Sequence, residues 1–278
     1  MKTKNKRLDL LFYILLSLLA LVFIAPVLIV LSNSFKGQFY ITDSPFTLPD
    51  ATTFVGLENY VNGLRKTGFF SAFLYSTFIT VCSVVVIVFF TSMAAWYISR
   101  VRNAFTKAIY YALVFSMIVP FQMVMFSLSK ITNAMNLDNP IGIIFIYLGF
   151  GAGLSVFLFT GFVSGIPSEV EEAAMIDGAT PVRMYFSVVF PMMKPIVITV
   201  AILNAMWIWN DYLLPYLLIG NKYKTIPIAV QYLQGGYGSR DMGALMAMLV
   251  LSIIPVVVFY LTCQKYIIKG VVAGAVKG

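Results

Sequence analysis

Residues 10–35 read LLFYILLSLLALVFIAPVLIVLSNSF, a run without a single charge. A helix rises about 1.5 Å per residue and needs about 20 apolar residues to cross a hydrocarbon core about 30 Å thick. This stretch crosses with length to spare for tilt. The basic flank Lys2, Lys4, Lys6 and Arg7 raises the question of a cleaved leader. Its apolar run is too long for the core of a signal peptide, and Ser32-Asn33-Ser34 offers no small-x-small cleavage pattern, so it reads as a retained helix.

Further along the chain, charge-free windows recur at 67–99, 108–129, 139–168 and 242–264, and the apolar segment 195–220 is interrupted only by Asp211. The expected spans are residues 10–33, 69–98, 108–129, 140–165, 196–219 and 242–264. Composition agrees: 60% of the 278 residues are hydrophobic and 11% are charged, against about 25% charged in soluble domains. Strand-type alternation is absent, so the fold class is all-α integral membrane rather than a β-barrel.

The 19 Lys and Arg residues set the orientation. With the N-terminus inside, Lys2, Lys4, Lys6, Arg7, Arg100, Arg102, Lys107, Arg183, Lys194, Lys265, Lys269 and Lys277 are cytoplasmic, and seven bases remain outside. Six spans with both termini cytoplasmic is the better of the two arrangements. The net charge of +8 is then a topological determinant and an attraction to anionic membrane lipid, with no nucleic acid called for.

The chemistry such a chain can do is limited. It has no histidine, so the commonest general base near neutral pH and imidazole metal sites are both missing. Cys82 and Cys263 sit inside apolar runs as small buried hydrophobes. No G-x-x-x-x-G-K-[ST] phosphate loop occurs, so any nucleotide hydrolysis belongs to a partner, and the inside segments are too short to hold a core of their own. Gly149-Phe150-Gly151-Ala152-Gly153 reads as close helix packing, with Gly161 and Gly165 offering a second small-residue face.

The stretch 168–195, SEVEEAAMIDGATPVRMYFSVVFPMMKP, is the most informative of the chain. Four of the eleven acids, Glu169, Glu171, Glu172 and Asp177, fall within nine residues. Ser168 followed by Glu171 predicts a capping box and a short helix from about Glu169. Gly178 ends it in a left-handed conformation. Thr180-Pro181 supplies the N-cap and N1 proline of a second short helix that Pro191 and Pro195 terminate. A capped connector between two spans explains these signals as well as a docking element does. The apolar residues Ala173, Ala174, Ile176, Met184, Tyr185 and Val189, more than a surface loop needs, favour docking.

Glu172-Ala173-Ala174, Gly178, Val188, Phe190 and Pro191 resemble the E-A-A-x3-G-x9-I-x-L-P motif of the membrane permeases of bacterial ABC importers, with Val188 and Phe190 standing where the family has isoleucine and leucine. Asp177-Gly178-Ala179, Phe186 and Pro195 resemble the carbohydrate branch, of which the maltose system is one example. So do Trp209-Asn210-Asp211-Tyr212 and the C-terminal stretch Gly270 to Gly278. The resemblance implies an ABC importer permease fold, a single transmembrane permease domain over 1–278 in the bacterial inner membrane, and coupling helices at about 168–191. It implies that Glu172, Ala173, Ala174, Asp177, Gly178 and Pro191 form the contact with an ATPase. The implied partners are a second, homologous permease subunit, a cytoplasmic ABC ATPase dimer that binds the ATP and magnesium, and an extracytoplasmic sugar-binding protein. The chain itself would be no enzyme and hold no cofactor. It would translocate a di- or oligosaccharide by alternating access.

In the fifth span, Asn204, Trp207 and Asp211 share a helical stripe and Asn210 lies beside it. An aromatic face beside amides and a carboxylate suits a sugar on its translocation path. An interfacial aromatic belt with Asp211 capping or pairing locally explains the same residues. An ion-coupled transporter using Asp211 is the rival function, and it lacks the inverted repeat such proteins carry. Outside the membrane, a short helix is expected near 57–64. The segment 221–241, with Tyr223, Tyr232, Tyr237 and Gly235-Gly236, resembles the loop that reaches toward the binding protein.

Overall fold

The computed structural model describes residues 6–220, 222–235 and 240–275, with side chains from Leu8 to Lys265. Its helices are α1 (Lys6–Asn33), α2 (Gln38–Asp43), α3 (Glu58–Thr67), α4 (Phe69–Arg100), α5 (Ala104–Ser116), α6 (Phe121–Ala134), α7 (Gly142–Val163), α8 (Ser168–Ile176) and α9 (Pro181–Met184). A π-helical turn (Tyr185–Val189) leads to α10 (Phe190–Met192), followed by α11 (Lys194–Asn210), α12 (Leu213–Leu218), α13 (Ile226–Gln231) and α14 (Met242–Ala275). Among the described residues there is no strand, only one isolated bridge between Lys36 and Phe54.

Four helices are long and apolar enough to cross a membrane unaided: Leu8–Asn33, Phe69–Arg100, Gly142–Val163 and Met242–Lys265. The count reaches 6 if α5 with α6 and Pro181–Met192 with α11 each make one bent crossing. Two expected spans differ from straight helices. The stretch 108–129 is broken, with α5 and α6 meeting at 104°. Pro120 sits between them in an extended conformation and has no N–H to continue the first helix. The stretch 196–219 stops at Asn210, because Asp211 turns extended (φ −73°, ψ 125°) and its Oδ1 accepts the N–H groups of Leu213 and Leu214, starting α12 afresh.

The described chain forms two compact units, one from the residues up to Phe70 together with Ala229–Val257, the other from Ser71–Ile228 together with the residues from Val258. In the first unit, the connection after α1 is held by buried polar groups. Lys36 is fully buried and donates from Nζ to the Ser44 carbonyl at 2.9 Å and to Thr47 Oγ1 at 3.2 Å. Asn59 Nδ2 donates to the carbonyls of Ser34 (2.9 Å) and Lys36 (2.8 Å). The helix expected near 57–64 is α3, which ends at Thr67 before the left-handed Gly68. It packs closely on α14: a Cβ at Gly63 would lie 2.7 Å from Met248 Cε, and one at Gly243 would lie 2.2 Å from Asn59 Oδ1. Lys66 pairs with Asp241 in the same unit. Burial raises the Asp241 carboxyl, but the Lys66 hydrogen bond, the Ala244 N–H and the Lys66 charge outweigh it and hold the group below the ordinary value.

The second unit is built around α7, against which α5 and α11 pack. Ile79, Ile87, Ile143, Tyr147 and Ile208 form one apolar cluster, and Val88, Ala95, Val156, Phe159, Val163, Tyr185 and Val189 form another. The small residues of α7 let its neighbours approach. A Cβ on Gly151 would come within 2.8 Å of Asn204 Oδ1 and Ile87 Cδ1, and one on Gly153 within 2.6 Å of the Leu113 carbonyl. The second expected small-residue face is not used at Gly161, where nothing lies within 4 Å, and Gly149 is equally open.

Candidate functional site

The helix pair α8–α9 sits in the second unit with one face buried and one face free. Ser168 opens α8, but the expected capping box is absent: the N-cap is Pro167 and no side chain caps the helix. Glu171 is drawn inward instead, only 5% exposed, where its Oε1 accepts Arg100 Nε at 2.8 Å and its Oε2 accepts Trp96 Nε1 at 3.1 Å. A fixed cation and an indole N–H offer a carboxylate more than one backbone amide does.

Adjacent residues on a helix point about 100° apart, so with Glu171 inward Glu172 faces out. Glu172, Ala173, Asp177 and Gly178 are exposed, and Ala174 is half-buried against the core. Exposed apolar side chains flank them: Met175, Ile176 (87% exposed), Val182 and Phe186.

The turn between the two helices forms as expected. Gly178 takes φ 78°, its N–H donates to the Met175 carbonyl at 3.0 Å, and the Ala179 N–H donates to the Ala174 carbonyl at 3.0 Å. That is a Schellman motif, and Ala174 and Ala179 both pack against the apolar core beneath it. Thr180 caps α9 by accepting the Arg183 N–H, with Pro181 at N1. The second helix carries Pro191 and ends at Met192, between the two prolines expected to stop it. The π-helical turn makes this possible: the Phe190 N–H reaches back to the Tyr185 carbonyl, five residues away, which re-spaces the backbone before the proline that cannot donate. Pro191 itself is exposed. Met184, Tyr185 and Val189 face the core, and Tyr185 Oη is hydrogen-bonded to Ser92 Oγ at 2.6 Å.

The second group of candidates does not form one polar surface. Asn204 is buried and donates to Ser155 Oγ (3.1 Å) and to its own helix at the Val200 carbonyl (2.9 Å). Asn210 is exposed and folds back onto the Met206 carbonyl. Asp211 accepts Tyr147 Oη at 3.0 Å through its second oxygen, besides capping α12. Trp207 is 41% exposed and meets the Tyr147 ring edge-on at 5.4 Å. Among the described residues no cluster of three His, Cys, Asp or Glu could hold a metal ion.

Sequence reasoning missed Arg100, Trp96, Ser155 and Tyr147 as partners. Arg100 was legible as a basic residue closing an apolar run, and its role there looked topological. The C-terminal stretch from Gly270 is helical through Ala275, while Val276, Lys277 and Gly278 lie outside the described residues, as do Asn221, Gly236 and Tyr237 of the 221–241 segment. Within that segment, Tyr223 packs edge-on against Tyr75 and Tyr232 is exposed.

Residues 87–272, which contain the α8–α9 pair and α11, match the family of binding-protein-dependent transport system inner membrane components. The chain belongs to that family. It is a multi-pass inner-membrane permease component of a transport system. Among its relatives, the probable starch degradation products transport system permease protein AmyC of Thermoanaerobacterium thermosulfurigenes is 38% identical over 93% of this chain and 93% of its own. The multiple sugar-binding transport system permease protein MsmG of Streptococcus mutans is 35% identical over 95% and 96%. A solved chain of a bacterial ABC transporter involved in the import of the acidic polysaccharide alginate superposes with a TM-score of 0.80 at 24% identity, covering 96% of this permease and 99% of that chain. That likeness shows the ABC importer permease fold.

Proposed function

We propose that this permease is one membrane subunit of an ATP-driven importer for a di- or oligosaccharide. In this reading it works with a second permease subunit, a cytoplasmic ABC ATPase dimer that holds the ATP and magnesium, and an extracytoplasmic binding protein that delivers the sugar. The observation that carries the reading is the division of α8–α9 into a buried seat and a free face. Glu172, Ala173, Asp177 and Gly178 are exposed together, while Tyr185 and Val189 root the pair in the core. Small alanines permit insertion into a partner's groove, and Glu172 can pair with a basic group at its rim. Closure of the ATPase dimer then biases the permease between inward- and outward-facing states. The sugar class is supported by the names of the relatives, which are permeases for starch degradation products and for multiple sugars.

For the translocation path, Trp207 and Asn210 are the residues of the α11 group free to meet a sugar, and Asn204 and Asp211 hold the frame behind them. Asp211 is already engaged by Tyr147 and two backbone N–H groups, which leaves no observation in favour of ion coupling through it. The test is reconstitution with candidate partners and measurement of uptake over a panel of sugars. ATP-dependent uptake that Glu172→Lys abolishes, together with ATPase association, is expected. Uptake driven by an ion gradient without any ATPase refutes the proposal.

A further inference from the structure

We infer that Arg100 and Trp96, which hold the two oxygens of Glu171, lock α8 to α4, so that a push on the helix pair moves α4 directly. This rests on the reading of α8–α9 as the coupling element. Three side chains on one stripe of α4, spaced four residues apart, reach α8 and the π-helical turn that continues α9. Ser92 is hydrogen-bonded to Tyr185 Oη at 2.6 Å, and the Trp96 ring lies 5.4 Å from the Tyr185 ring. Trp96 Nε1 also donates to Glu171 Oε2 at 3.1 Å. Arg100 closes the set: its Nε and Nη2 lie 2.8 and 2.7 Å from Glu171 Oε1, and Nη2 donates to the Ile166 carbonyl at 2.9 Å.

The alternative route for a push is the covalent one, through the join of α8 to α7. That join, 164–167, is non-helical and carries a glycine and a proline. A joint of this kind absorbs displacement, whereas a planar guanidinium bonded at two points resists it. Arg100 also reaches across the joint to Ile166, so α4 grips the chain before and after it. The Glu171 side chain is 7% exposed and that of Arg100 23%, so water competes weakly for either. Glu172, the neighbour expected to meet the ATPase, takes no part in this lock. The motif thus splits the work of two adjacent glutamates: one contacts the partner and the other transmits. Arg100 and Glu171 are positioning residues.

The test uses the complete transporter in proteoliposomes, with Arg100→Gln, Glu171→Gln and Arg100→Lys. The expected result is that the ATPase stays bound and hydrolyses ATP while sugar moved per ATP falls about 5- to 150-fold, the span of typical coupling free energies. Spin labels at Ser168→Cys and Tyr97→Cys, in a background lacking Cys82 and Cys263, give a second readout that a loss of folding does not mimic. The intact lock keeps one narrow distance with and without ATP, and Arg100→Gln broadens it. If the glutamine variants fail to assemble, Arg100→Lys decides, because it keeps the charge and loses the two-point grip. A lowered ratio with a broadened distance supports the lock, and wild-type values of both overturn it. A label distance in the unmutated lock that shifts on adding ATP overturns it as well. If the ATPase never joins the wild-type chain, the proposed function fails instead, and the two failures are distinct.

Discussion

Replacing Gly178 isolates the contribution of the turn that presents the Glu172 face. Gly178 holds φ 78°, and a Cβ built there meets nothing within 4 Å, so an alanine adds dihedral strain and no clash. A left-handed conformation costs an alanine about 1–2 kcal/mol. Two hydrogen bonds depend on that conformation, Gly178 N–H to Met175 and Ala179 N–H to Ala174. At about 1.4 kcal/mol per factor of ten, opening of the turn becomes about 5- to 30-fold more frequent in Gly178→Ala. Gly178→Asn, which tolerates this region, shows a smaller effect. Gly178→Pro shows a larger one, since its φ is fixed near −65° and it removes the first donor outright. Hydrogen exchange of the Ala179 amide in the membrane-embedded chain measures the opening, and uptake measured in parallel ranks in the order Gly, Asn, Ala, Pro. Membrane insertion is unchanged throughout, because the spans carry that signal. An Ala179 amide as protected in the alanine variant as in the wild type, with undiminished uptake, refutes the reasoning.

Gly151 has the opposite cause. Its α7 backbone is ordinary but its space is filled, so Gly151→Ala forces Ile87 or Asn204 aside at about 1–3 kcal/mol, read as a lowered thermal midpoint, while Gly161→Ala in open space leaves the midpoint unchanged. Asp50 is held at about 2, below the usual 3.8, by the Thr52 hydroxyl, the Thr52 and Thr53 N–H groups and the Thr53 hydroxyl. A depressed carboxyl stabilises its loop above the ordinary value and loses that contribution as pH falls from 3.8 through about 2; Thr52 amide exchange accelerates across this window, and Asp50→Asn removes the pH dependence. Lys66→Met removes the two Lys66 contributions that lower Asp241 and leaves burial opposed only by the Ala244 N–H. The carboxylate band of Asp241 then titrates at higher pH than in the wild type, and an unchanged titration rules out the pairing.

Much of the fold could be read from composition because the bilayer is a demanding solvent: a segment that leaves water must be apolar over a fixed length, and every unbonded backbone group is penalised. The turn at Gly178 and the cap at Thr180 were legible for a related reason, since both depend on backbone preferences of one or two residues. The break at Pro120 carried a local signal too, outweighed in reading by the hydropathy around it.

The chain by itself determined the apolar segments, the helix ends and the motif that marks the α8–α9 pair, because each rests on solvent preference or local dihedral geometry. Only the tertiary structure decided the fate of individual polar groups. Ser168 with Glu171 spelled a capping box, yet Glu171 turned to Arg100 and Trp96, some seventy positions earlier in the chain. Asn204 and Asp211 looked like a polar stripe, and Ser155 and Tyr147 on α7 claimed them one at a time. A carboxylate or amide leaving water takes the strongest partner that packing brings within about 3 Å, and sequence does not record which helix arrives.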